Sequence, residues 1–165
     1  MLDFLTWYLT ITALGWLVMP IIFYLLPNLP GRGISFARIF GLLLWGYLYW
    51  ILGRLGITAN NVAGLLFALI LVVVLAFLMI RKKQINEVIE WIKEPWRLVL
   101  TIELLFLVTF ASWTVVRSLN PEILGTEKPM ELAFINAILR SDSFPPNDPW
   151  LSGYAISYYY FGYIL

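Results

Sequence analysis

Four long apolar stretches, separated by short polar or proline-rich breaks, dominate the hydropathy pattern of this chain of 165 residues. A membrane-crossing helix needs about 20 apolar residues, because each residue of an α-helix rises 1.5 Å. Four stretches are long enough, at residues 4–26, 36–55, 62–80 and 96–116. We therefore predict four transmembrane helices within residues 1–116.

The second stretch is the least regular, because Arg38 and Arg54 bracket its apolar part. Extending it to residues 36–55 lets both arginine side chains reach the membrane interfaces. A hairpin buried at the interface is the less favoured interpretation. Between the third and fourth stretches, residues 84–94 alternate charged and aliphatic side chains. That alternation is typical of an amphipathic helix on the membrane surface.

Composition agrees with this pattern, since 61% of the residues are apolar and only 13% are charged. Soluble domains have about 45–50% apolar and about 25% charged residues. An ordinary cytosolic enzyme and a disordered chain are therefore both excluded. The fold class we predict is all-α, a polytopic bundle of transmembrane helices whose partner is the lipid bilayer.

The chain contains no Cys and no His. This excludes thiol nucleophiles, disulfides, imidazole acid–base catalysis and the usual zinc sites. Proton transfer is left to Asp, Glu, Lys or Tyr, and a metal cofactor would be a hard divalent cation such as Mg²⁺ or Mn²⁺. The net charge of +1 gives no reason to expect a nucleic-acid partner.

The distribution of Lys and Arg predicts the orientation of the chain. One side collects seven basic residues, namely Arg32, Arg38, Arg81, Lys82, Lys83, Lys93 and Arg97. The opposite side collects four, namely Arg54, Arg117, Lys128 and Arg140. We place the first side in the cytoplasm, so the N-terminus and the loop at residues 117–152 are extracytoplasmic and the protein lies in the cell membrane.

That loop contains a predicted helix at residues 129–140, which opens on Pro129. Apolar or small residues recur there at helical spacing, namely Met130, Ala133, Phe134, Ala137, Ile138 and Ser141. This pattern favours a helix lying at the outer interface. Glu131 falls in its first turn, where the helix dipole stabilises a carboxylate.

Glu127, Glu131 and Asp148 are the candidate catalytic residues of this loop. If the three carboxylates converge, they can deprotonate a hydroxyl or hold a divalent cation that neutralises a phosphate. The alternative, which spacing alone favours, is that they are solvated loop acids.

A further acid, Glu103, lies about 10 Å into the fourth predicted span. An acid at that depth has either a functional role or an internal partner. At the outer end of the same span, Arg117 is a candidate contact for a lipid phosphate, although interfacial anchoring is the commoner role of such arginines.

The apolar stretch at residues 153–165 is too short to cross a bilayer. We interpret it as the start of a fifth transmembrane helix, so the chain is expected to be part of a longer protein whose remaining helices pack against it.

The last quarter of the chain resembles a known family. The segments GTEKPMELAFINAILRS, FPPNDPW and SYYYFG are similar to those of the YYY membrane proteins, a family of undetermined function named for its tyrosine triplet. That family is grouped by distant similarity with the GT-C membrane glycosyltransferases.

The resemblance implies transfer of a sugar from a polyprenyl-phosphate donor outside the cytoplasm, with a loop carboxylate acting as base or metal ligand. Glu127 and Glu131 occupy the position of the GT-C acidic motif, and Asp148 is a further candidate. We assign substrate binding to the neighbouring basic and aromatic residues Lys128, Trp150, Tyr158, Tyr159, Tyr160 and Arg117. Without the resemblance, the tyrosines would be interpreted as an aromatic belt at the membrane interface. Two alternatives remain, a transporter or lipid flippase and a non-catalytic assembly subunit.

Overall fold

The computed structural model describes residues 2–79, 82–93, 95–125 and 127–165, and within them it is helical with no strand. The long helices are α1 (Leu2–Leu25), α2 (Ala37–Arg54), α3 (Val62–Met79) and α5 (Trp96–Leu119). Each is long and apolar enough to cross a membrane, α2 together with the turn before it. The predicted all-α polytopic class is therefore confirmed.

Shorter elements connect these helices. A 3₁₀ turn (Pro30–Phe36) leads into α2, and α4 (Lys82–Lys93) leads into α5. Helix α6 (Lys128–Arg140) lies in the predicted loop, and α7 (Phe161–Ile164) follows near the end of the chain. Residues 80, 81, 94 and 126 lie outside the described residues, so the predicted end of the third span and part of its basic cluster do as well.

The stretch at residues 153–165, expected to begin a transmembrane helix, is helical only in α7. Its first part folds back on the preceding loop instead. The Asp148 amide donates to the Tyr154 carbonyl at 2.8 Å, and the Ile156 amide donates to the Pro146 carbonyl at 2.9 Å. Since this pairing uses the backbone groups of residues 154–156, the helix begins only after them.

The chain divides into two compact units, and the first comprises Met1–Leu42 and Val72–Pro121. Its core lies on α1, where Val18, Met19, Ile22 and Phe23 are buried. The 3₁₀ turn folds back onto this helix through Gly33, whose φ is +78°. A Cβ there would lie 2.7 Å from Ile22 Cγ2, so both the φ angle and the close approach require glycine.

The second unit comprises Leu43–Leu71 and Glu122–Leu165. Its core joins α2, α3, α6 and the following loop through Tyr49, Ala68, Ile138 and Phe144. The Phe144 ring meets the Tyr49 ring edge-on at 5.5 Å. It also packs onto Gly53, where a Cβ would lie 2.5 Å from the ring.

Asn60, in the connection between α2 and α3, forms hydrogen bonds to the C-terminal end of α6. Its side-chain amide donates to the carbonyl of Ile138 at 2.6 Å and of Ser141 at 2.5 Å. Its side-chain oxygen accepts a hydrogen bond from the Tyr49 hydroxyl. The end of α6 is therefore held at the ends of two candidate membrane spans.

Large apolar side chains are exposed along the candidate spans. Phe77 on α3 and Leu119 on α5 are examples, and α5 has no buried residue. Contiguous exposed apolar surface of this extent is unfavourable in water and marks a membrane or protein contact. Together with the length of the helices, it indicates association with a lipid bilayer.

Candidate functional site

Helix α6 presents three faces of different chemistry, since residues spaced by three, four and seven share one face of a helix. What we call the acidic face comprises Glu127, immediately before the helix, with Glu131, Phe134 and Ile138. The apolar face comprises Leu132, Ile135 and Leu139, all of them exposed. The cleft face comprises Ala133, Asn136, Ala137 and Arg140, which line a cleft of about 470 Å³.

The apolar stripe predicted from the sequence packs against protein. Phe134, Ala137 and Ile138 are buried in the second unit, and Met130 packs against them. The exposed apolar surface of the helix is its apolar face, where Leu139 is 76% exposed.

Glu127 and Glu131 are joined through the first helical turn, because the Glu131 amide donates to the Glu127 carbonyl at 2.9 Å. Tyr163, which is outside the four candidate spans, packs its ring on Phe134, one turn along α6 from Glu131. Burial raises the pKa of Tyr163, and the charges of Glu131, Tyr158 and Glu127 raise it further. The tyrosine hydroxyl is therefore protonated at neutral pH and able to donate to an acceptor beside the carboxylates.

Aromatic rings surround Phe134 on the acidic face. Trp150 meets it edge-on at 5.3 Å, Tyr158 stacks on it at 5.6 Å, and Tyr163 lies tilted at 5.6 Å. Trp150 is 62% exposed and Tyr158 is about half exposed. The structure thus places an open aromatic surface next to Glu127 and Glu131.

The three consecutive tyrosines divide into two groups. Tyr159 is 86% exposed and contacts the Tyr158 ring edge-on at 5.3 Å. Tyr160, by contrast, accepts a hydrogen bond from Trp50 Nε1 at 3.0 Å and stacks on Phe144 at 6.4 Å. Tyr160 therefore serves the packing of the second unit, whereas Tyr158 and Tyr159 face outward.

The three candidate carboxylates do not converge. Asp148 lines the cleft bordered by Ala133, Asn136 and Arg140, whereas Glu127 and Glu131 do not line it. Within the described residues, no three acidic side chains are grouped to hold a metal ion. Convergence of the three carboxylates, which the sequence left open, is therefore not found among the described residues.

Asp148 also has a local structural role. Its Oδ1 accepts hydrogen bonds from the amides of Trp150 at 2.8 Å and Leu151 at 2.9 Å. These bonds fix the orientation of the carboxylate and shape the turn that carries Trp150.

Glu127 and Glu131 would supply only part of the coordination of a magnesium or manganese ion, and water or substrate would supply the other ligands. Magnesium is commonly held by one or two carboxylates, the remaining ligands coming from water and phosphate. The two side chains fit that pattern.

The two candidate basic residues are differently placed. Lys128 is half-buried, and its Nζ donates to the Glu122 carbonyl at 3.5 Å, a long hydrogen bond. Arg117 donates to the Asn120 carbonyl and thereby caps the end of α5 in the first unit.

Glu103 has an internal partner that the sequence interpretation did not supply. Arg38 Nη2 donates to Glu103 Oε2 in an ion pair, and the guanidinium lies 4.1 Å from the Phe106 ring centroid. The side chain of Arg38 lies against α1, where Gly15 leaves room for it, and its position relative to the membrane interface stays a prediction. The sequence could have indicated this ion pair, because Arg38 and Glu103 carry opposite charges on two predicted spans.

Comparison with known proteins identifies the family of the chain. Residues 44–165 match DUF2298, described as an uncharacterized membrane protein. No curated protein and no solved structure matches the chain. The match covers more than half of the chain, so the chain belongs to this family of membrane proteins. It includes α6, Asp148 and the three consecutive tyrosines.

Proposed function

We propose that this member of the DUF2298 family is an integral membrane glycosyltransferase of the GT-C type. It transfers a sugar from a polyprenyl-phosphate donor on the extracytoplasmic side of the cell membrane. The observation that carries the proposal is the position of Glu127 and Glu131 beside the exposed aromatic surface around Phe134.

A carboxylate beside an aromatic surface has the chemistry needed for glycosyl transfer. An acceptor hydroxyl loses its proton to the carboxylate as its oxygen bonds to the anomeric carbon. The bond from that carbon to the phosphate oxygen breaks, and its electron pair leaves with the lipid phosphate. Glu131 is the proposed base, because it is half-buried on the acidic face of α6, while Glu127 is exposed.

The aromatic surface supplies a place for the sugar. Trp150 and Tyr158 each pack one side against Phe134 and leave the rest of the ring accessible. Such rings bury the apolar C–H groups of a sugar at little conformational cost, since they are already held in position. Tyr159 extends the same surface.

Lys128 is the cation nearest to the acidic pair in sequence, and its ammonium would neutralise charge on the departing phosphate. A divalent cation held by Glu127 and Glu131 would supply the same neutralisation in its place.

The apolar face of α6 supports a lipid-linked substrate. Leu132, Ile135 and Leu139 would lie on the bilayer, as expected of an interfacial helix. The acidic face is then held at the membrane surface, where the phosphate of a polyprenyl donor is located.

The proposal is tested by measuring sugar transfer in membranes that contain the protein, with a radiolabelled polyprenyl-phosphate sugar as the donor. We expect Glu131→Gln to lower transfer by about 100-fold or more, as for loss of a general base, and Glu127→Gln to lower it as well. Glu122→Gln is the matched control, because Glu122 is an exposed acid of the same segment. Full transfer by both Glu127→Gln and Glu131→Gln would contradict the proposal.

A further inference from the structure

The cleft face of α6 carries opposite charges that are not paired with each other. Arg140 and Asp148 both line the cleft of about 470 Å³, together with Asn136 and Asn147. Among the described residues, the one ion pair is that of Arg38 with Glu103. A cation and an anion therefore face the same space, and the cleft has the size of a small-molecule site.

The carboxylate of Asp148 is oriented by the backbone and has one oxygen that can accept a hydrogen bond from a ligand. Its Oδ1 is fixed by the amides of Trp150 and Leu151, as described above. In the part of the chain that the structure describes, no side chain donates to Oδ2. A donor from a ligand, an ammonium or a hydroxyl, can thus be bound without rearranging the loop.

The position of the cleft indicates which ligand it meets. Asn60 ties Ser141, also in the cleft lining, to the connection between two candidate membrane spans. The cleft therefore lies near the ends of two candidate membrane helices, which would bring it to the depth of lipid headgroups. The apolar face of α6 runs beside it, where acyl chains would be accommodated.

We propose that this cleft binds a zwitterionic phosphate ester, with the phosphate on Arg140 and the ammonium on Asp148. Arginine is well suited to phosphate, which accepts two of its N–H groups at once. The chemistry is that of a phosphoethanolamine group, whether in a lipid or in a soluble ester. This inference does not depend on transferase activity, because it concerns a different face of α6.

Binding is measured by ³¹P NMR on the protein in maltoside micelles, with dihexanoyl phosphatidylethanolamine and dihexanoyl phosphatidylglycerol as probes. We expect the wild-type protein to bind the ethanolamine lipid about tenfold or more tightly than the glycerol lipid, since a hydrogen bond to a charged group is worth that much. Asp148→Asn should abolish this preference. Arg140→Gln should weaken both lipids about tenfold or more.

Asp142→Asn and Arg54→Gln are the matched controls, because both residues are exposed in the same unit and neither lines the cleft. Both controls should bind as the wild type does. A third probe, free phosphoethanolamine, distinguishes a lipid from a soluble ligand. If it binds as tightly as dihexanoyl phosphatidylethanolamine, the ligand is a soluble ester; if it binds more weakly, the ligand is the lipid. The proposal is overturned if the wild type has no preference for ethanolamine, or if Asp148→Asn retains it.

Discussion

Arg38 on α2 and Glu103 on α5 form an ion pair inside the first unit. The side chain of Arg38 is 10% exposed and that of Glu103 is 25% exposed, and the guanidinium also lies over the Phe106 ring. Charges at such positions in membrane helices are costly unless they are paired. The pair therefore joins the two helices, and it compensates the charge that Glu103 would otherwise carry alone in a membrane helix.

Breaking this pair from one side should be worse than removing it altogether. Arg38→Met or Glu103→Leu alone leaves an uncompensated charge, and we expect each to lower the free energy of unfolding by about 3–5 kcal/mol. The double variant should recover much of that loss. Unfolding in mixed micelles, followed by circular dichroism, measures the coupling as a double-mutant cycle.

Arg97→Met is the control for this cycle, since Arg97 is an exposed arginine on the same helix as Glu103. We expect a change within about 0.5 kcal/mol. Strictly additive effects of the Arg38 and Glu103 substitutions would show that the two side chains do not interact.

Close packing of α1 on α2 depends on two glycines. A Cβ at Gly15 would lie 2.9 Å from Arg38 Cγ, and one at Gly41 would lie 2.9 Å from the Leu14 carbonyl oxygen. Gly15→Ala and Gly41→Ala should each destabilise the protein by about 1–3 kcal/mol, because the helices must separate. The measurement is a thermal melt in micelles, with Gly162→Ala as the control, since a Cβ there meets nothing within 4 Å. Alanine variants as stable as the wild type would be inconsistent with this packing.

The attachment of α6 should depend on Asn60. Asn60→Ala removes its bonds to Ile138, Ser141 and Tyr49, with an expected loss of about 2–4 kcal/mol. Amide hydrogen exchange in α6 should become faster. Asn61→Ala is the matched control, because Asn61 accepts from the Gly64 amide at 2.9 Å and caps α3 instead. Unchanged α6 protection in Asn60→Ala would argue against this attachment.

The consecutive tyrosines should respond differently to substitution. Tyr160→Phe removes the acceptor for Trp50 Nε1 and should cost about 1 kcal/mol of stability without altering sugar binding. Tyr159→Ala should leave stability nearly unchanged and, if the proposed function holds, weaken binding of the lipid-linked sugar. Thermal melts and binding titrations on both variants separate the two roles. The reverse assignment of effects would show that Tyr159 is the structural residue.

Much of the architecture could be predicted from the sequence, because it depends on local properties. Length and hydropathy were enough for the four membrane helices and the all-α class, since a spanning helix must be long and apolar. The helical spacing of Phe134, Ala137 and Ile138 predicted an apolar side of α6 in the same way, but not that this side packs against protein. Exclusion of thiol and imidazole chemistry needed only the composition.

Part of the arrangement around α6 could be predicted from the sequence, while the roles assigned to its residues stay predictions. Glu127, Glu131 and the outward tyrosines lie near one another, since spacing of four along a helix brings side chains together. Asp148 and Tyr160 were assigned from proximity in sequence, and that gave no information about the path of the loop between residues 141 and 160. Tyr163 was missed because only the fold back of residues 154–156 brings it to Phe134.

What the sequence by itself determined, then, is which segments are apolar enough to cross a membrane and which side of each helix carries polar groups. These properties follow from single residues and their spacing. Only the tertiary structure decided that Arg38 meets Glu103, that Asn60 holds α6, and that Asp148 and Arg140 line one cleft. Those contacts join residues far apart in the chain, and their energies depend on distances that no local pattern contains.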